Sequence, residues 1–198
     1  ILTPNLERDD FWWMGFGPRE VNNWNPWINS NWLASVLLLE RDPQRRARAV
    51  AKIARSLDRF VDAYPDDGGC DEGPGYWGRA GASLFESLEL LHAATGGALD
   101  VYREPVVRAI GQYIARAYIA GDYYVNIGDA PARAHPEPEL VFRYGQAVGD
   151  PSLAAFGSFL AAGRGPYGPG DVRRYGGLAR LLPALLRAGD LPATAPVE

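Results

Sequence analysis

Asp66-Asp67-Gly68-Gly69-Cys70-Asp71-Glu72-Gly73-Pro74-Gly75-Tyr76-Trp77-Gly78-Arg79 separates two helical patterns and decides how the chain is read. Upstream, Asp42-Pro43 supplies a helix cap and a first-turn proline. Ala47, Val50, Ala54, Leu57 and Val61 follow at alternating spacings of 3 and 4, one stripe of a helix. Arg45, Arg46, Arg48, Lys52, Arg55 and Arg59 fall mostly outside that stripe, on a solvated face. Downstream, Trp77, Ala80, Leu84, Leu88 and Leu91 form a second stripe that Gly96-Gly97 closes. The linking stretch is richer than a connection requires. Its glycines and proline allow tight, partly left-handed backbone and close approach to a ligand. Carboxylates, a thiol, two aromatic rings and an arginine stand between them.

The same reading extends outward. Residues 5–17 carry Leu6, Phe11, Trp12, Trp13, Met14 and Phe16, the last turns of a helix. A largely apolar helix runs from Trp27 to about Leu39, with Asn25 as cap and Pro26 in its first turn. Pro105, Val106, Ile110, Tyr113, Ile114 and Ala117 mark another, ending near Gly121. Tyr123–Asp129 has the β-branched and aromatic content of an extended link. Leu140–Val148 reads as a short helix, and Asp150-Pro151 repeats the Asp-Pro start before a helix to Ala162. Gly163–Gly170 reads as a flexible loop, Tyr175–Ala188 as a last helix kinked at Pro183, and 191–198 as linker or disordered tail. The fold class expected is all-α, helical hairpins over residues 1–190 forming either a bundle or an incomplete (α/α) toroid.

Composition narrows the function. The chain has 198 residues, 47% of them apolar, enough for one domain with a full core. A net charge of −4 gives no support to nucleic-acid binding. A single cysteine excludes an internal disulfide framework, and two histidines leave little for a metal site. No apolar run reaches the length of a membrane span. The start Ile1-Leu2-Thr3 lacks both a charged n-region and an initiator Met, as expected of a processed or excised piece.

Six tryptophans are a surplus, and aromatic rings stack on the apolar faces of sugars. Val21–Trp32 holds five Asn and three Trp, where capping needs one Asn. Neutral amides beside indoles suit a polyhydroxylated ligand, whose hydroxyls need donors and acceptors together. Tyr76 and Trp77, projected next to carboxylates, fit the same surface. Cys70 has no basic neighbour in sequence and is expected to be structural.

Asn22-Asn23-Trp24-Asn25-Pro26-Trp27, Asp67 to Trp77, and Asn126 to His135 together resemble the heparinase II/III-like family of polysaccharide lyases. The likeness spans roughly Phe11 to Pro151. It implies an (α/α) toroid that in complete members precedes a β-sheet domain, and this chain resembles the central part of such a protein. It also implies β-elimination on uronate-containing polysaccharide, with an acidic polysaccharide or oligosaccharide as partner, the β-sheet domain as intramolecular partner, and no cofactor.

Elimination needs the uronate carboxylate neutralised, the C5 proton taken and the departing O4 protonated. By motif position, the resemblance makes Asn23 or Asn22 the carboxylate-holding amide and Tyr76 the proton-transfer group. Trp24 stands where alginate-type members carry histidine. Trp24, Trp27, Trp77, Arg79, Glu72 and His135 are the expected substrate contacts. Arg79, one turn beyond Tyr76, either lowers the tyrosine pKa or binds substrate carboxylate, or else pairs with Glu72 or Glu86. Two rival readings are an (α/α) glycoside hydrolase using Asp67 and Glu72 and a non-catalytic carbohydrate-binding domain. A polymer substrate would place the protein outside the cytoplasm, secreted or periplasmic, and a cytoplasmic location stays open otherwise.

Overall fold

The computed structural model describes residues 1–163 and 178–191. Eight α-helices occur among the described residues: α1 (Leu2–Glu7), α2 (Trp24–Leu39), α3 (Pro43–Ala63), α4 (Gly81–Ala94), α5 (Pro105–Arg116), α6 (Pro138–Ala147), α7 (Pro151–Ala162) and α8 (Leu178–Leu186). β1 (Tyr118–Ala120) and β2 (Tyr123–Tyr124) form an antiparallel ribbon between α5 and α6. The chain is thus mainly helical, as expected. α2 packs on α3 and α4, and α6 on α7, each sequential pair being joined by a short turn. No helix among the described residues is long and apolar enough to cross a membrane. The expected loop over 164–170, the first turn of the expected last helix and the tail over 192–198 lie outside the described residues.

Both Asp-Pro starts form as read. The Asp42 carboxylate accepts from the amides of Gln44 and Arg45, and Asp150 from those of Ser152 and Leu153. A carboxylate satisfies orphan amides there, and proline costs nothing where the helix has no bond to lose. The end of α4 also matches, with Gly96 and Gly97 at φ 59 and 85 and the Gly97 amide returning to His92 O at 2.8 Å.

Four readings change. The N-terminal stretch is two pieces, α1 and a 3-10 turn over Trp12–Met14. α2 begins at Trp24, so Asn25 is inside the first turn rather than its cap. Pro26 still fits, because the first turn's amides have no intrahelical partner. The helix expected to end near Gly121 stops at Arg116, and 118–120 turn into β1. Finally, the buried face of α3 is Ala49, Lys52, Ile53, Ser56, Leu57 and Phe60, rotated from the expected stripe. Ala47 is exposed and Lys52 is buried.

The rotation has a polar cause. Lys52 Nζ donates to Leu6 O and Arg8 O at 3.1 and 2.6 Å and pairs with Asp9 at 2.6 Å. Ser56 Oγ donates to Met14 O at 2.9 Å. Asn25 Nδ2 donates to Trp13 O and Ser56 O, and Asn29 Nδ2 to Ser56 Oγ. Leu6 O, Arg8 O, Trp13 O and Met14 O, at the ends of α1 and of the 3-10 turn, take buried donors from α2 and α3, which a count of apolar periods overlooks.

Candidate functional site

The Asp66–Arg79 loop is held by the body of the fold. Gly68, at φ +72, lies so close to α5 that a Cβ would overlap the backbone of Ala109 and Ile110. Gly73, at φ +87, lies against Ile127 O and the Ala130 methyl. These glycines are required for close approach, but to the protein's own backbone rather than to a ligand. Tyr113 Oη donates to Cys70 O at 3.4 Å, and an Arg116 guanidinium N–H donates to Asp67 O. The Cys70 thiol is buried, and burial pushes its pKa up to about 11, with Tyr64 beside it.

The loop meets the start of α2 in two places. At the first, Glu72 gathers both asparagines: Asn22 Nδ2 donates to Oε1 at 3.2 Å and Asn23 Nδ2 donates to Oε2. Asn23 is buried, and Asn22 Oδ1 accepts from the Trp24 amide at 3.1 Å, which fixes the helix start. At the second, the Arg79 guanidinium lies over the Trp27 ring, 4.4 Å from its centroid. Arg79 is exposed and forms no ion pair among the described residues. Both expected pairings of Arg79 are therefore corrected, since Glu72 is engaged with the asparagines and Glu86 with Arg180.

Beside this second contact opens a groove of about 700 Å³, walled by α2, the loop, α4 and residues 131–137. Trp27, Arg79 and His135 all line it, and His135 is exposed at its edge. Asn22, Asn23, Glu72, Tyr76 and Trp24 do not line it. The two asparagines and Glu72 form a separate cluster, Trp24 stands outside against Trp27, and Tyr76 is half-buried against the core. Trp77 belongs to the groove wall but offers no exposed ring for stacking. It is fully buried, its indole N–H donates to Ile110 O at 2.8 Å, and its ring stacks on Tyr144.

The floor of the groove was not anticipated. Arg180 of α8 forks onto Glu86 with two bonds of 2.7 Å, reaches Glu137 at 3.1 Å and donates to Gly78 O at 2.8 Å. Burial alone would lower the Arg180 pKa, but the charges of Glu137 and Glu86 more than offset it and hold it above the ordinary arginine value. Arg143 makes a second fork onto Glu89 at 3.0 and 3.2 Å. Glu86 and Glu137 thus share the Arg180 guanidinium, while Glu89 takes both Arg143 and, at 3.1 Å, Arg187, so every floor carboxylate is paired in the geometry that tolerates low dielectric. Arg180 lies 94 positions from Glu86, and no local pattern announces such a pair.

With the floor acids paired, Arg79 is the groove arginine that has no ion pair among the described residues. Arg79 lies over an indole and, being exposed, keeps N–H donors within reach of a carboxylate. Arg133 is held by Asp122 at 3.6 Å and by the Tyr123 hydroxyl at 2.7 Å. No group of three or more His, Cys, Asp or Glu able to hold a metal ion occurs among the described residues. No protein-family model matches the chain, and no curated protein does.

Proposed function

We propose that the groove binds uronate-containing polysaccharide and that the chain acts on it by β-elimination, its helical hairpins being part of an incomplete (α/α) toroid. The observation that carries the reading is Arg79 on Trp27 at the rim of a groove whose own carboxylates are already paired. An acidic sugar presents an apolar ring face and a carboxylate together, and an indole beside an open guanidinium edge matches both. His135 also lines the groove and adds a second polar group.

The Asn22–Asn23 pair supports the elimination part. Two amide donors converging on one carboxylate is the arrangement that holds a uronate carboxylate while C5 loses its proton. Here the carboxylate is that of Glu72. Because this cluster lies outside the groove, elimination requires the bound chain to extend from the groove to it and Glu72 to yield the amides to substrate, with Tyr76, four positions further along the same loop, exchanging the proton. The hydrolase reading loses its pair, because Glu72 is held by the asparagines and Asp67 Oδ1 accepts from the Gly69 amide at 2.8 Å. The binding-only reading is favoured by that same engagement of Asn23.

The test is the ultraviolet signal of unsaturated uronate released from uronate polymers, measured beside equilibrium binding. Arg79→Ala is expected to weaken binding about tenfold, the order of a lost charge-assisted contact. Tyr76→Phe is expected to leave binding intact and to lower product formation by about 10²–10⁴-fold, the usual scale of a general acid–base group. Binding without product in the wild type selects the binding-only reading. Indifference of binding to Arg79→Ala overturns the groove as the site.

A further inference from the structure

The aromatic wall of the groove continues outside it. Trp27, at the rim, is 5.9 Å from Trp24, and Trp24 is 6.0 Å from Trp12. The far end is closed as the near end is, with the Arg19 guanidinium 4.2 Å from the Trp12 ring centroid. Arg19 is exposed and, like Arg79, forms no ion pair among the described residues. The result is one row, Arg19–Trp12–Trp24–Trp27–Arg79, on the molecular surface. Trp24 is 48% exposed, although the aromatic content of the chain is otherwise largely spent on its core.

The row is anchored from beneath. Trp12 projects from a 3-10 turn whose next residues, Trp13 and Met14, are buried. Trp24 and Trp27 share the first turn of α2 at i and i+3, a spacing that puts both on one face. The helix start beneath them is fixed by the Asn22 side chain and by Asn25, which is buried and bonded to Trp13 O. A rigid aromatic row loses little conformational entropy on binding.

We propose that this row is an extended subsite that carries an acidic polysaccharide chain away from the groove, so that the protein recognises a polyuronate over several sugar units rather than at its end. The inference rests on the reading of the groove as an acidic-saccharide site and adds to it the direction and length of the bound chain. Trp24 offers the exposed ring for a sugar's apolar face, with Trp12 and Trp27, set at 49° and 71° to it and each under a guanidinium on one side, flanking it. The exposed guanidinia at the two ends take carboxylates. A neutral glycan satisfies the rings but not the arginines.

The experiment is calorimetric titration of the protein with dimers and octamers of galacturonate and of mannuronate, and with maltooctaose. For at least one uronate the octamer is expected to bind tenfold or more tightly than the dimer. Trp24→Ala and Arg19→Ala should each remove that increment, and Arg19→Ala should leave dimer affinity unchanged. Both positions are exposed, so neither substitution opens a core cavity, and thermal melts verify that the fold persists. An octamer no tighter than the dimer, or an increment that survives both substitutions, overturns the subsite while the groove stands. Failure of every uronate to bind removes the groove reading and the subsite with it. Maltooctaose binding as tightly as the best octamer overturns the role given to the arginines.

Discussion

On the inner side of α2, Asn25 and Asn29 give their amides to Trp13 O and to Ser56, and Trp32 is buried in the core. On the outer side of the same helix, Trp24 and Trp27 face outward, Trp27 beneath Arg79, and Asn31 merely returns to Trp27 O at 2.7 Å. The two sides use the same residue types within a dozen positions. What separates them is the neighbour each side must serve: a stretch of chain with unbonded carbonyls within, a groove and solvent without. An Asn/Trp-rich segment is therefore half scaffold and half surface, and its composition does not say which half is which.

Substitutions can break or sharpen that contrast. The largest effect is expected from Trp77→Ala, which removes a fully buried ring and should lower unfolding free energy by about 3–5 kcal/mol. Trp27→Ala at the rim should cost about 1 kcal/mol or less in a denaturant melt and act on binding instead. Equal costs for the two rings would erase the distinction between wall and core.

Next comes Asn25→Ala. It leaves Trp13 O and Ser56 O without their buried donor, at a cost of about 2–3 kcal/mol. Asn31→Ala, on the outer side, should fall within about 0.5 kcal/mol of wild type. Chemical denaturation of the two variants measures the difference directly.

The two Asp-Pro caps repeat the contrast on a smaller scale. Asp150 is buried and also accepts from Gln112 at 2.6 Å, whereas Asp42 is exposed. Asp150→Ala should cost about 2 kcal/mol and Asp42→Ala about 1 kcal/mol, the upper and middle of the range for caps. Burial of Asp150 opposes its charge, but the bonds from Ser152, Gln112 and Leu153, with Arg108 nearby, hold its pKa below the ordinary value. A depressed folded pKa means stability that is present above the ordinary aspartate range and lost as pH falls through the folded value. The gap between wild type and Asp150→Ala should therefore narrow toward acid pH, and a gap constant with pH would count against that assignment.

The smallest effect is expected at Cys70. Its buried thiol, raised to about 11, should resist iodoacetamide at pH 8 in the folded protein and react once denaturant unfolds it. Rapid native labelling would mean that the loop opens where the close packing of Gly68 and Gly73 holds it shut.

Sequence alone was enough for the helical class, the Asp42 and Asp150 caps and the Gly96-Gly97 stop, and its composition drew attention to Asn22–Trp27 and Asp66–Arg79. Caps, stops and periods are local, depending on a few successive residues and the backbone between them, and local order is what a chain displays before it folds. Those two segments meet in space through Glu72 and Arg79. Tertiary structure alone decided the rest. It turned α3 so that Lys52 faces inward, because carbonyls more than 40 positions away needed a donor. It buried Trp77 and exposed Trp24, two indoles alike in kind, because one met the Ile110 carbonyl and the other met Trp12 and Trp27. It built the groove floor from Arg180, Glu86 and Glu137, whose attraction depends on distance in space rather than along the chain.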